Sequence, residues 1–154
     1  MAKHKILLPY NFTEMDRKTV DFVIRTFSHQ ESIEITLFHI YTPPPAIETD
    51  SSTVMGRLTA GMQYLSKQMK EKEQVLAETR AYLLENGFED RQVNYIFRGR
   101  TKQLADEIKE TVKEGDFSMV VLNYRPYRVT RLFIQSVHSK VISALRGVTV
   151  CIVT

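Results

Sequence analysis

The sequence is short of the features that define several classes of protein. The single cysteine, Cys151, excludes a disulfide framework, and the four histidines show no metal-ligand spacing, so we expect no metal site. Six glycines and five prolines, three of them in the run 43–45, are too few for a low-complexity chain. No apolar run reaches the roughly 18 residues of a membrane span. Pro9 also interrupts the first aliphatic run, so no signal peptide is expected. We therefore expect a cytoplasmic protein that does not enter membranes.

The composition that is present is typical of a globular protein. Of 154 residues, 43% are apolar and 25% are charged, which is enough to bury a core and excludes disorder. No internal repeat divides the chain, so residues 1–154 are predicted to form one domain. Cys151 lies in the apolar run 148–153, where a thiol acts as a small buried hydrophobic side chain.

The net charge of +3 is unevenly distributed. Residues 117–154 contain no Asp or Glu and five basic side chains, whereas residues 1–116 hold 16 basic and 18 acidic ones. The basic charge is densest between Arg125 and Arg131, which marks a place where an anion would be attracted. A net charge this small is thin for nucleic-acid binding, so we expect no nucleic-acid partner.

Apolar runs and helical periodicities alternate along the chain. Aliphatic and aromatic runs predict five strands, at 5–9, 33–41, 92–97, 118–122 and 148–153. Amphipathic spacing predicts four helices between them, at 13–27, 54–86, 101–113 and 134–145, the first capped by Asn11 or Thr13. This alternation of strands and helices, with apolar strands, predicts a parallel sheet covered by helices on both faces.

The second helix is long and follows the one obvious loop. Three prolines and a polar stretch predict a mobile connection over 42–54. Apolar residues then recur at alternating spacings of four and three from Leu58 to Leu83. Because such a helix is longer than a strand can cover, we expect its N-terminal end to overhang the sheet or to bend near Gly61. The apolar stripe ordinarily packs on the sheet, and a second protein contact is the alternative.

Ligands of such sheets bind beyond the carboxyl ends of the strands, where the strand order reverses. Candidate chemistry therefore lies in segments 9–13 and 123–139, after strands one and four. His39 is predicted to bond to the backbone rather than to act as a catalyst. Ser136 and His138 are two residues apart on a helix and point to different faces, so they cannot form a catalytic pair. We expect no catalytic residue.

Four segments of the chain form a recognisable series. They are Lys5-Ile-Leu-Leu-Pro9-Tyr-Asn11-Phe12-Thr13-Glu14, then Leu37-Phe-His39-Ile40, then Phe97-Arg98-Gly99, and finally Val120-Val-Leu-Asn123 with 131–141. In this order they resemble the first strand, the second strand, the turn before the third helix, and the final loop, helix and strand of the universal stress protein family. The resemblance implies an α/β three-layer sandwich with a five-stranded parallel sheet in the order 3-2-1-4-5, of the adenine nucleotide alpha hydrolase-like type. It also implies a cytosolic, non-catalytic role in the stress response.

The resemblance implies a nucleotide site as well, and this sequence alters it. Nucleotide-binding members carry Gly-x-x-Gly, a nine-residue spacer and then Gly-Ser or Gly-Thr, whereas Asn123, Pro126 and Gln135 stand at the glycine positions here. Glycine suits a backbone that approaches phosphates closely, and proline has no N–H to donate. Asn11 replaces an aspartate of these members, while Ser136 keeps the hydroxyl. The residues that would line a nucleotide or anion site are Pro9, Tyr10, Asn11, Ile40, Leu122, Asn123, Arg125, Arg128, Arg131, Gln135, Ser136 and Val137.

Three functions are open at this point. The first is a stress-response protein with a diverged nucleotide site and no firm cofactor. The second is a protein that binds ATP or AMP, or slowly hydrolyses ATP, with Arg125, Arg128 and Arg131 holding the phosphates by charge-assisted contacts. The same arginines otherwise form a solvated basic loop. The third is a protein-interaction module that acts through its edge strand or its long helix.

The last strand indicates a partner. Residues 148–154 are apolar and uncharged, and a bare edge strand of this kind pairs readily with another chain. The family resemblance implies the same pairing. We expect a homodimer whose interface contains Val148, Val150, Ile152 and Val153.

Overall fold

The computed structural model describes residues 3–43, 52–124 and 137–154, with side chains in the long helix described from residue 61 onward. The strands are β1 (His4–Pro9), β2 (Ile33–Tyr41), β3 (Val93–Gly99), β4 (Met119–Asn123) and β5 (Thr149–Val153). The helices are α1 (Glu14–Phe27), α2 (Ser52–Glu85), α3 (Leu104–Glu114) and α4 (Val137–Ala144). All nine predicted elements are therefore present, each within a few residues of its expected bounds.

The five strands form a parallel sheet in the order β3-β2-β1-β4-β5, which confirms the predicted architecture. In this register Leu8 lies beside Leu37, and Leu122 lies beside Ile152. Because every strand is parallel, their carboxyl ends meet at one edge of the sheet. The chain order reverses between β1 and β4, so the ends of these two strands flank the crevice where such sheets bind ligands.

Alternate residues of the strands pack into two cores, one on each face of the sheet. Ile6 and Leu8 of β1 pack with α1 and α2, where Leu76 and Leu83 are fully buried. Leu7 points to the opposite face and packs with α3 and α4. The result is the three-layer arrangement expected from the apolar strands.

Helix α2 is 34 residues long and extends past the carboxyl edge of the sheet. Among its described side chains, those from residue 61 onward, Leu76 is the first that is fully buried, so the packing on the sheet is concentrated toward the C-terminal end of the helix. Between Gly61 and Val75 every side chain is exposed except the half-buried Met69, a stretch of about 20 Å at the usual helical rise. The predicted overhang is confirmed, and the helix continues through Gly61.

The ends of several elements differ slightly from expectation. Gln92 lies in a 3-10 turn rather than at the start of β3, because its buried side-chain amide donates to the carbonyls of Gln30 and Ile33, both at 2.8 Å. Gly87 ends α2 as predicted, with a φ of 102°. Most of the expected mobile loop, residues 44–51, and the basic segment 125–136 lie outside the described residues.

Candidate functional site

The turn that follows β1 lies at the reversal point of the sheet. The Tyr10 amide donates to the Phe38 carbonyl at 2.8 Å, which continues the β1–β2 pairing by one residue. Phe12 then adopts a φ of 60°, in the left-handed region that costs a bulky side chain about 1 kcal/mol. Thr13 is the N-cap of α1. The chain therefore turns sharply here and directs backbone amides toward the first turn of the helix.

The carboxylate of Asp16 gathers those amides. It is buried, with 1% exposure, and Oδ2 accepts hydrogen bonds from the amides of Asn11 at 3.2 Å and Thr13 at 2.6 Å. Its other oxygen, Oδ1, accepts a hydrogen bond from Nδ2 of Asn123 at 2.8 Å. Asp16 thus joins the β1–α1 turn to the end of β4. Sequence reasoning missed this role, although an acid three residues after a threonine N-cap is the capping-box signal.

Asn123 is held on a second side by α4. Nε2 of His138 donates to the Asn123 carbonyl at 2.5 Å, and the His138 ring meets the Tyr124 ring edge-on at 5.5 Å. The Tyr124 amide donates to the Val153 carbonyl at 2.8 Å. The end of β4 is therefore bonded to α1, α4 and β5 at once, and both the side-chain NH2 group and the carbonyl of Asn123 are hydrogen-bonded within the protein.

His39 lies in an aromatic cluster beside the same turn. Its Nδ1 donates to the Tyr10 carbonyl at 2.7 Å, which confirms the predicted bond to the backbone. The ring packs against Phe12 at 4.6 Å and stacks on Phe97 at 5.8 Å, and its Nε2 is buried without a partner among the described residues. Burial lowers the pKa of His39 more than the hydrogen bond to Tyr10 raises it. A neutral ring with an enclosed Nε2 stabilises the turn and is poorly placed to exchange protons with a ligand.

A second buried carboxylate organises the loop after β3. Glu107 of α3, whose side chain is 2% exposed, accepts hydrogen bonds from the amides of Thr101 at 2.7 Å and Lys102 at 3.2 Å. Its other oxygen accepts a hydrogen bond from Nη1 of Arg98 at 2.9 Å. Burial alone would raise the pKa of Glu107, but the two amide bonds and the Arg98 charge outweigh it, so the pKa is lowered. The carboxylate is charged and serves as a fixed acceptor.

The family model of universal stress proteins matches residues 3–146 of this chain. The chain belongs to the universal stress protein family. Solved structures agree in fold: hypothetical protein MJ0577 has 17% identity and a TM-score of 0.70, with coverage of 99% of this chain and 96% of that one. No curated protein sequence matches this chain significantly.

Two of the similar universal stress protein structures contain nucleotides. The protein from Archaeoglobus fulgidus in complex with dAMP has 15% identity and a TM-score of 0.62, with each chain covered over 100% of its length. A universal stress protein in complex with cAMP has 12% identity and a TM-score of 0.63, covering 99% of this chain and 98% of that one. At these identities the likeness shows the shared universal stress protein fold.

The sequence-predicted site residues fall on both faces of the sheet. Tyr10 packs on the α1/α2 face, whereas Ile40, Leu122 and Val137 pack on the α3/α4 face. The Asn11 side chain is exposed and has no hydrogen-bond partner among the described residues. Pro9 is buried at the end of β1 and Asn123 at the end of β4 is half-buried. The remaining predicted residues, Arg125, Arg128, Arg131, Gln135 and Ser136, lie outside the described residues.

Within residues 3–43, 61–124 and 137–154, no three His, Cys, Asp or Glu side chains converge in a way that would hold a metal ion. Over the described part of the chain, no helix has the length and apolar character needed to cross a membrane. Cys151 is half-buried with its sulfur 3.9 Å from that of Met119, a position suited to a small apolar side chain.

Proposed function

We propose that this universal stress protein is a cytosolic, non-catalytic stress-response protein whose nucleotide site has diverged from that of the ATP-binding members. The observation that carries the proposal is the engagement of Asn123, which stands at the first glycine position of the nucleotide motif. Its side-chain amide is bonded to Asp16 and its carbonyl to His138. A phosphate group that approached this position would meet the Asn123 side chain and a carbonyl already hydrogen-bonded to His138. A glycine would leave the backbone accessible there.

The other two glycine positions support the same view. Pro126 has no N–H to offer an oxyanion, and Gln135 adds a side chain where a phosphate would approach the backbone closely. Asn11 replaces an aspartate of the nucleotide-binding members and removes a negative charge near the ligand. Together these changes remove the glycine cradle while leaving the rest of the fold in place.

Calorimetric titration with ATP and AMP tests the proposal, since dAMP and cAMP are the ligands seen in similar structures. We expect no saturable heat with nucleotide at about 1 mM and no release of phosphate from ATP. The matched comparison is Asn123→Gly/Pro126→Gly/Gln135→Gly, which restores the motif and is expected to gain nucleotide affinity. Stoichiometric, submillimolar ATP binding by the natural sequence would overturn the proposal.

The uneven distribution of charge along the chain favours a second candidate function, which is the binding of an anion by the basic segment. Arg125, Arg128 and Arg131 would hold an anion by bidentate contacts in place of the lost cradle. Polyphosphate added to the same titration separates the two: binding that is lost in Arg125→Gln/Arg128→Gln/Arg131→Gln supports an anion site. If polyphosphate gives no heat, the arginines form a solvated basic loop.

We further propose that the protein is a homodimer paired through 148–154. Strand β5 is hydrogen-bonded to β4 on one side and is the last strand of the sheet, with no strand paired to its other side among the described residues. Ile152 is 44% exposed on this edge, next to the half-buried Val150 and Val153. A second copy would satisfy the edge backbone and cover Ile152. Light scattering at micromolar concentration is expected to give twice the chain mass, and a monomeric mass would contradict the pairing.

A further inference from the structure

A cleft of about 530 Å³ opens at the amino edge of the sheet, opposite the reversal point. It lies between the C-terminal ends of α3 and α4, where the chain enters β4 and β5. Its walls combine an apolar floor with a cationic rim. The apolar residues are Val112, Phe117, Leu145 and Val148, and the cationic ones are Lys109, Lys113 and Arg146.

The cationic rim is not neutralised by ion pairs within the part of the chain that the structure describes. None of Lys109, Lys113 and Arg146 has an ion-pair partner among the described residues. By contrast, Lys102, just before α3, is paired with Glu110. One acidic residue, Asp116, lines the cleft, so its rim carries an excess of positive charge.

Helix stability does not account for this arrangement. A cation near a helix C-terminus offsets the helix dipole, which explains Lys113 and Arg146 but not Lys109 at the middle of α3. Lys109 and Lys113 are four residues apart on one helix face, a like-charge spacing that destabilises a helix. An anion bound between Lys109 and Lys113 would reduce the repulsion between these two charges.

We propose that this cleft binds a small organic anion, a carboxylate carried on an apolar chain. The carboxylate would lie between Lys109, Lys113 and the planar guanidinium of Arg146, which suits two-pronged contact with a carboxylate. The chain would lie along Phe117 and Leu145, removing apolar surface from water. The volume of the cleft is within the range of small-molecule sites. The site is remote from Asn123 and does not depend on the nucleotide question.

Amide chemical shifts of the isotope-labelled, full-length protein in its native association state test the proposal, with octanoate as the probe. Octanoate is expected to shift amides around 109–117 and 144–148 saturably. Octanol lacks the charge and acetate lacks the chain, so each is expected to bind about tenfold more weakly or worse. Shifts scattered over the surface, or equal effects of the three probes, would overturn the proposal.

Charge removal inside and outside the cleft provides the matched pair. Lys109→Gln/Lys113→Gln is expected to weaken octanoate binding about tenfold. Lys67→Gln/Lys70→Gln lowers the net charge equally on the exposed part of α2 and is expected to leave binding unchanged. Arg146→Gln, in an exposed turn, repeats the test without altering a helix. Equal binding by the cleft and control variants would show that the cations do not form a site.

Discussion

Nδ2 of Asn123 and Oδ1 of Asp16 are 2.8 Å apart, joining positions separated by 107 residues in the chain. The contact fastens the end of β4 to the first turn of α1 at the point where the sheet reverses its order. In the proposed function, Asn123 stands at the first glycine position of the nucleotide motif. Its side chain would then both fill that position and add this tertiary hydrogen bond.

Removing Asp16 is expected to destabilise the fold strongly. Asp16→Ala leaves the Asn11 and Thr13 amides and the Asn123 side chain without their acceptor, at a cost of about 3 kcal/mol. Asn123→Ala should cost about 1 kcal/mol, and the double variant about 1 kcal/mol less than the sum. Urea unfolding followed by circular dichroism measures all three. Asp106→Ala, at an exposed position, is the control and should change stability by less than about 0.5 kcal/mol. Strict additivity would show that the pair does not interact.

Glu107 is expected to make the free energy of unfolding depend on pH in the acid range. Its folded-state pKa lies below the usual 4.5, so its stabilising effect is complete above pH 4.5 and is lost as pH falls through the lower folded value. Glu107→Gln removes the charge and should lower the free energy of unfolding by about 1–3 kcal/mol at neutral pH. The deficit should shrink as pH falls below 4.5, because the natural protein then progressively loses the stabilisation that its charged carboxylate provides. Glu114→Gln, exposed at the end of α3, is the control. A pH-independent deficit would contradict the assignment.

His39 is expected to contribute a second loss of stability as pH falls, and this loss begins at a higher pH than the one due to Glu107. Its folded-state pKa is lowered from 6.5, so the folded protein resists protonation and loses stability as pH falls below that value. His39→Phe keeps the aromatic packing but forgoes the bond to Tyr10. It should melt lower than the natural protein at about pH 7.5, yet lose less stability between there and about pH 5. Thermal unfolding at the two pH values measures the difference, and equal losses would refute the role of His39.

The dimer proposal predicts a contrast between two exposed isoleucines. Ile152 on β5 is 44% exposed and Ile142 on α4 is 50% exposed, but only Ile152 lies on the free edge of the sheet. A lysine on an edge strand opposes strand pairing, so Ile152→Lys should yield monomers. Ile142→Lys should leave the dimer intact. Light scattering after size-exclusion chromatography distinguishes the two, and equal masses for both variants would count against pairing through β5.

The architecture was predictable because its signals are local. The runs 6–9 and 119–122 are apolar throughout, which is typical of strands buried on both faces, and the helical stripes between them are regular. The overhang of α2 followed from length alone. The resemblance of four segments to one family then supplied the strand order, which the structure shows.

The site was less predictable because its contacts join distant parts of the chain. The capping-box spacing identifies Asp16 as an acceptor for nearby amides, but nothing local shows that its second oxygen faces β4. Phe12 adopts a left-handed φ that its bulky side chain disfavours, so its aromatic contact with His39 depends on the whole fold. Likewise, nothing in the sequence distinguishes Lys109, Lys113 and Arg146 from other surface cations until the fold brings α3 and α4 together around the cleft.

The overhang of α2 has a consequence for amide hydrogen exchange. An amide in a helix exchanges with deuterium when its segment opens, and the cost of opening reflects the tertiary contacts that must be broken. The turns around Leu76 and Leu83 open only with the core, whereas the side chains of residues 61–68 are all exposed. Deuterium should enter the protruding turns long before the anchored ones. One continuous helix therefore consists of two units of very different local stability.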